Sequence, residues 1–85
     1  MADYRLTISR QASKEFEGLP PDVIERVREK IRALMSTPRP PGSKKLQGSS
    51  TWRIRIGDWR VLYEIDDAKK IVDVAAIRHR SKAYD

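Results

Sequence analysis

No cysteine appears in this sequence, and there is only one histidine, His79. The first absence excludes disulfides, thiolate catalysis and the usual zinc-finger ligand sets. The second leaves no pair of histidines to divide acid and base work. No apolar run approaches the roughly 20 residues a bilayer span requires. The opening stretch MADYRLTISR lacks the apolar segment of a secretory signal. GxGxxG, P-loop, HExxH and GxSxG patterns are missing. The carboxylates are scattered, and Asp66-Asp67 reads as a turn. The expectation is a cytoplasmic chain without membrane contact, metal or cofactor.

What is abundant is positive charge. Eighteen Lys and Arg face twelve Asp and Glu, for a net charge of +6. Residues 1–38 hold seven basic and six acidic side chains, and residues 39–85 hold eleven and six. The excess therefore sits in the second half, and a polyanion is its natural partner. Eighty-five residues suffice for one domain, 1–85, with a modest core.

Alternation in Tyr4–Ile8 predicts a short strand. Ser9 caps a short helix whose face is Ala12, Phe16 and Leu19, and Gly18 ends it. Pro20-Pro21 restart the chain, with Asp22 placed to favour a helix N-terminus. Val23, Ile24, Val27, Ile31, Leu34 and Met35 form the stripe of a longer helix. Its other side is charged and reads as a solvated surface. TPRPPGS (37–43) is a stiff connector rather than a PxxP ligand. Ile71–Ile77 is apolar on nearly both faces, as in a central strand. A basic tail, 78–85, follows. The predicted class is α+β: two N-terminal helices packed on a small, mostly antiparallel sheet, in the order β-α-α-β-β-β.

The stretch Trp52–Tyr63, WRIRIGDWRVLY, reads as two strands around a two-residue Gly57-Asp58 turn. Arg55 then faces Arg60, and Arg53 faces Leu62. Three guanidiniums share one side of the hairpin. Trp52, Ile54, Ile56, Trp59, Val61 and Tyr63 share the other. Like charges opposed across a sheet destabilise it, and a polyanion lying over them relieves the cost. The plainer alternative is a solvated outer face.

An enzyme made from this set works with Arg, Lys, one His and Tyr. Those groups suit cleavage of RNA, where the 2′-OH of the substrate is the nucleophile and the protein neutralises the phosphorus centre. Arginine is bidentate and always charged, so it holds a phosphate but does not exchange protons. His79 is the candidate acid or base by intrinsic pKa. Tyr84 is a candidate for stacking on a base or orienting the 2′-OH; it also suits pinning the terminus to the core.

KKLQG at 44–48, WRIRIGDWRVLYEID at 52–66 and IRHRSKAY at 77–84 resemble the RelE/ParE superfamily of toxins from type II toxin–antitoxin systems. The N-terminal strand, the two helices and the connector agree, so the resemblance spans the chain. It implies a RelE-like fold and, on the RelE branch, an mRNA interferase: a metal-independent endoribonuclease that cuts messages in the ribosomal A site. It further implies that Arg53 and Arg55 flank the scissile phosphate. Arg60 and Arg80 stabilise the transition-state charge, and Tyr84 stacks on or orients the substrate nucleotide. With His79 these make the candidate catalytic set, and Lys44, Lys45, Arg78 and Lys82 are candidate RNA contacts. The pattern departs from the best-known member in having arginine for lysine at 53 and 55, so any proton transfer assigned to those lysines does not carry over. The implied partners are a cognate antitoxin protein, the 70S ribosome and mRNA. Two alternatives remain open at this point: a ParE-like inhibitor that binds DNA gyrase without cutting RNA, and a non-catalytic RNA-binding module.

Overall fold

Ser9 marks the point where the first strand becomes the first helix. Its hydroxyl accepts from the Ala12 backbone N–H at 3.0 Å and donates to the Ala75 carbonyl at 2.9 Å. One side chain thus caps a helix and ties it to the last strand. In the computed structural model, which describes residues 3–82, the order is β1 (Arg5–Ile8), α1 (Arg10–Glu17), α2 (Pro21–Ala33), β2 (Lys44–Lys45), β3 (Thr51–Ile56), β4 (Trp59–Asp66) and β5 (Ile71–His79). A 3₁₀ turn, Arg80–Lys82, ends the described chain.

The strands form one sheet in the order β1-β5-β4-β3-β2. The α+β class and the helix-on-sheet layering are as the sequence predicts. Two details are additional. A two-residue strand, β2, pairs with β3, and β1 runs parallel to β5 while every other pair is antiparallel. β5 lies inside the sheet, as its apolar run requires.

The helices cover one face. Val23, Val27, Ile31 and Leu34 recur at helical spacing along α2 and are buried, Val27 and Leu34 completely. They meet Ile54, Ile56, Val61, Tyr63, Val72, Val74 and Ile77 from the sheet. Full burial of such a side chain stabilises the fold by about 1.5–3 kcal/mol.

Buried Tyr63 also fixes the connector, because its hydroxyl donates to the Pro38 carbonyl at 2.7 Å. One residue on, Arg39 is bonded to Asp67 at 2.8 Å and lies 5.2 Å from the centre of the Trp52 ring. Tyr4 donates to the same carboxylate. Arg39 and Tyr4 together hold Asp67 well below the usual carboxylate range, at about 2. The proline-rich segment is a wall pinned to the core, with Asp67 as a turn residue that also anchors it.

Candidate functional site

The β3–β4 register is the one the sequence implies: Ile56 opposite Trp59, Arg55 opposite Arg60, Arg53 opposite Leu62. Of the two turn residues only Gly57 has positive φ, at 60°, the pattern of a type II′ hairpin turn. Residues facing one another across a sheet share a face. Arg53, Arg55 and Arg60 therefore lie together on the side away from the helices, and Lys44 joins them opposite Arg53.

Arg53 is buried at 7% exposure, an unusual place for a charge; Arg60 is half-buried and Arg55 exposed. The guanidinium of Arg53 is pulled below its ordinary pKa, first by burial and then by Arg55. Arg60 is lowered by burial, then by Arg55 and Arg53. Both remain cations, and their shared field favours an anion over them.

The face is polarised. Along β4 the outward residues run Arg60, Leu62, Glu64 and Asp66. Glu64 faces Thr51 and Asp73, and Asp73 faces Thr7. Positive charge thus gathers at the hairpin-turn end and carboxylates gather at the other, with Leu62 between them.

The remaining candidates divide. A bulge between Leu62 and Tyr63 inserts Ala75 into β5: Tyr63 pairs with Val74, but Leu62 pairs with Ala76. The extra residue reverses which side chains point outward from there on. Arg78 comes opposite Arg60, and His79 comes opposite Trp59. His79 consequently lies on the helix side, its ring edge-on to Trp59 at 5.1 Å, and Nδ1 is 3.0 Å from the Ser81 hydroxyl. The fold does not bring it together with the arginines. Lys45, opposite Trp52, also points away from them. Arg80 stands by the hairpin turn, its N–H donating to the Asp58 carbonyl at 2.8 Å and its guanidinium 3.9 Å from the Asp58 carboxylate. Lys82 closes the 3₁₀ turn, and Tyr84 lies outside the described residues.

One residue that the sequence reading did not single out organises this end. Glu15 of α1 sits where a neighbouring strand would lie beyond the end of β1. It accepts from the Ile77 N–H at 2.7 Å and pairs with Arg78 Nε at 3.2 Å. The sequence carries no signal for this, because Glu15 reads as an ordinary polar position on a short helix. Among the described residues no group of three His, Cys, Asp or Glu side chains is placed to hold a metal ion, and no helix is long and apolar enough to cross a membrane.

The family model of the ParE toxin of the type II parDE toxin–antitoxin system matches residues 6–84. A protein named as toxin RelE1 of Methanocaldococcus jannaschii is 31% identical over 85 residues, covering 95% of this chain and 94% of that one. The RelE–RelB complex of Pyrococcus horikoshii is similar in structure, with a TM-score of 0.83, 29% identity, and coverage of 98% and 100%. The RelBE2 toxin–antitoxin complex of Mycobacterium tuberculosis matches with a TM-score of 0.81, 28% identity, and coverage of 92% and 99%.

Proposed function

The chain belongs to the ParE toxin family of type II toxin–antitoxin systems, within the RelE/ParE superfamily, and from that premise we propose that it is an mRNA interferase acting in the ribosomal A site. It is a toxin with a RelE-like fold; the finer activity is our reading. The observation that carries it is the outward face of Arg53, Arg55 and Arg60, held in fixed register with Lys44 and Arg78 beside it.

In the proposed reaction the 2′-oxygen of the substrate attacks the adjacent phosphorus and the 5′-oxygen of the next nucleotide leaves. The products are a 2′,3′-cyclic phosphate and a 5′-hydroxyl. The proton lost from the 2′-OH is matched by one gained at the leaving oxygen. Arg53, Arg55 and Arg60 neutralise the charge that builds on the phosphoryl oxygens, and burial around Arg53 strengthens that interaction. Arg80 completes the set from the turn. Arginine does not move the protons. His79, on the other face, is assigned a positioning role for the Arg80 turn through Trp59 and Ser81. Proton transfer falls to Tyr84 or to the ribosome. Cognate RelB proteins occupy the related toxins in solved complexes, which supports a cognate antitoxin as the partner that silences this face; on this reading the place of action is the cytoplasm, where the ribosomes are.

Primer extension on programmed ribosomes tests the reading: A-site cuts are expected with wild type and not with Arg60→Ala. A second reading has its own observation, since the matching family model is that of ParE. On that reading the basic face binds DNA gyrase and cuts nothing. Inhibition of supercoiling together with intact messages selects it.

A further inference from the structure

The charged side of α2, which the sequence presents as a solvated surface, does not stand alone. β2 ends at Lys45, and its two residues pair only with Arg53 and Trp52. Along the rest of β3, towards the hairpin turn, the edge is flanked by α2. There a crevice of about 430 Å³ is lined by Lys30 and Ala33 of α2, the Pro40–Gly42 wall, and Arg53 and Arg55. A second, of about 420 Å³, is bordered by Arg26, Glu29 and Lys30 on one side and by Arg55 and Gly57 on the other. Sharing Lys30, Ala33 and Arg55, the two make one continuous track.

Its charge is one-sided. Among the described residues, the first crevice is lined by three cations and no carboxylate, and the second adds Arg26 and a single Glu29. Gly57 contributes by what it lacks. A methyl group on it would stand 2.8 Å from Arg26 Nη2, so the turn glycine makes room for that guanidinium beside Arg55. The far wall is rigid, anchored by the Pro38–Tyr63 hydrogen bond and the Arg39–Asp67 pair. The track opens from the arginine face, because Arg53 and Arg55 belong to both. Apart from Ala33, Ile54, Ile56 and the prolines its lining offers no large apolar pocket of the kind that anchors a protein segment. A cation row on a stiff groove fits a phosphodiester backbone.

We propose that this track binds the backbone of single-stranded RNA next to the bond being cut, with Lys30 and Arg26 each holding one phosphate of the strand as it leaves the arginine face. The inference rests on the RNA-cleaving reading above and adds a binding subsite to it. Lys30 and Arg26 are exposed surface residues outside the cleavage machinery, so their removal leaves the fold intact, which a thermal melt verifies.

The test is fluorescence anisotropy with a short, fluorescein-labelled single-stranded RNA, 2′-O-methylated throughout so that it is not cut. At about 0.7 in log–log salt slope per phosphate contact, R26A/K30A is expected to flatten the slope by about 1.4 and to weaken binding about 25-fold at 0.1 M salt. In ribosomal cleavage the same variant raises KM and keeps kcat. Affinity and slope unchanged in R26A/K30A but reduced in Arg60→Ala would overturn the track and leave the cleavage reading standing. A wild type that ignores RNA and instead binds poly-glutamate through Arg26 and Lys30 would overturn the track and assign the crevice to an acidic protein, whereas the cleavage reading falls only if primer extension finds no A-site cuts.

Discussion

Replacing Glu15 with alanine removes two interactions at the point where α1 meets β5. The carboxylate accepts from the Ile77 N–H at 2.7 Å, and Ile77 is only 2% exposed. A hydrogen bond to a charged group contributes about 1.5–3 kcal/mol, and the orphaned N–H would meet water only partly. The Arg78 pair is about a third exposed on one side and a quarter on the other, so solvent screening limits it to about 1 kcal/mol or less. The expected loss is about 2–4 kcal/mol, which in a domain of this size lowers Tm by about 10–25 °C. Glu15→Gln keeps an acceptor for Ile77 and forfeits the ion pair, so about half the loss is expected. Urea unfolding followed by tryptophan fluorescence reads both, since Trp59 packs beside His79 at the same strand end. An alanine variant within about 0.5 kcal/mol of wild type, a shift typical of ordinary surface positions, would refute the reasoning. A glutamine variant as damaged as the alanine one would also refute it.

Other expectations follow from the same geometry. On the mRNA-interferase reading, Arg60→Ala lowers single-turnover cleavage by about 10²–10³-fold; a variant that cuts at nearly the wild-type rate contradicts the role given to that guanidinium. Tyr63→Phe orphans the Pro38 carbonyl and costs about 1–2 kcal/mol in urea unfolding. Asp67 has its folded pKa depressed from 3.8 to about 2, so its contribution is complete above about pH 4 and drains away as pH falls to about 2. Stability of Asp67→Asn is then lower at neutral pH and flatter through that window. Gly57→Ala forces a side chain into a positive-φ position and against Arg26, which flexes aside; a cost of about 1–2 kcal/mol is expected by thermal melt.

The hairpin was legible because two independent periods agree in it. Strict alternation places the arginines, and a Gly-Asp turn of fixed length sets their partners. The helices were legible from Ser9, the two prolines and the apolar stripe. What escaped has physical reasons too. A two-residue strand such as β2 has no period to detect. The parallel pairing of β1 with β5 is a matter of where the crossover leads, and alternation within β1 does not encode direction. The position of His79 depends on the bulge at Ala75. In the run IVDVAAI both faces are nearly apolar, so a change of phase leaves no trace in the pattern. Arg78 and His79 exchange sides as a result. The crevice beside Lys30 arises from packing between α2 and the β3 edge, elements that are distant in the chain.

The pairing of β1 with β5 also dictates when this fold can close. Arg5 finds its partner in Ile71, and Ser9 and Glu15 find theirs at Val74, Ala75 and Ile77. The first helix thus has its firmest attachments to a strand that lies 62 or more residues further along the chain. Closing so long a loop is unrewarded until both ends exist. Without β5, α1 lacks the strand that holds it, and β4 lacks one of its two neighbours. The arginine hairpin therefore gains its fixed place in a complete sheet only when β5 joins β4 to β1.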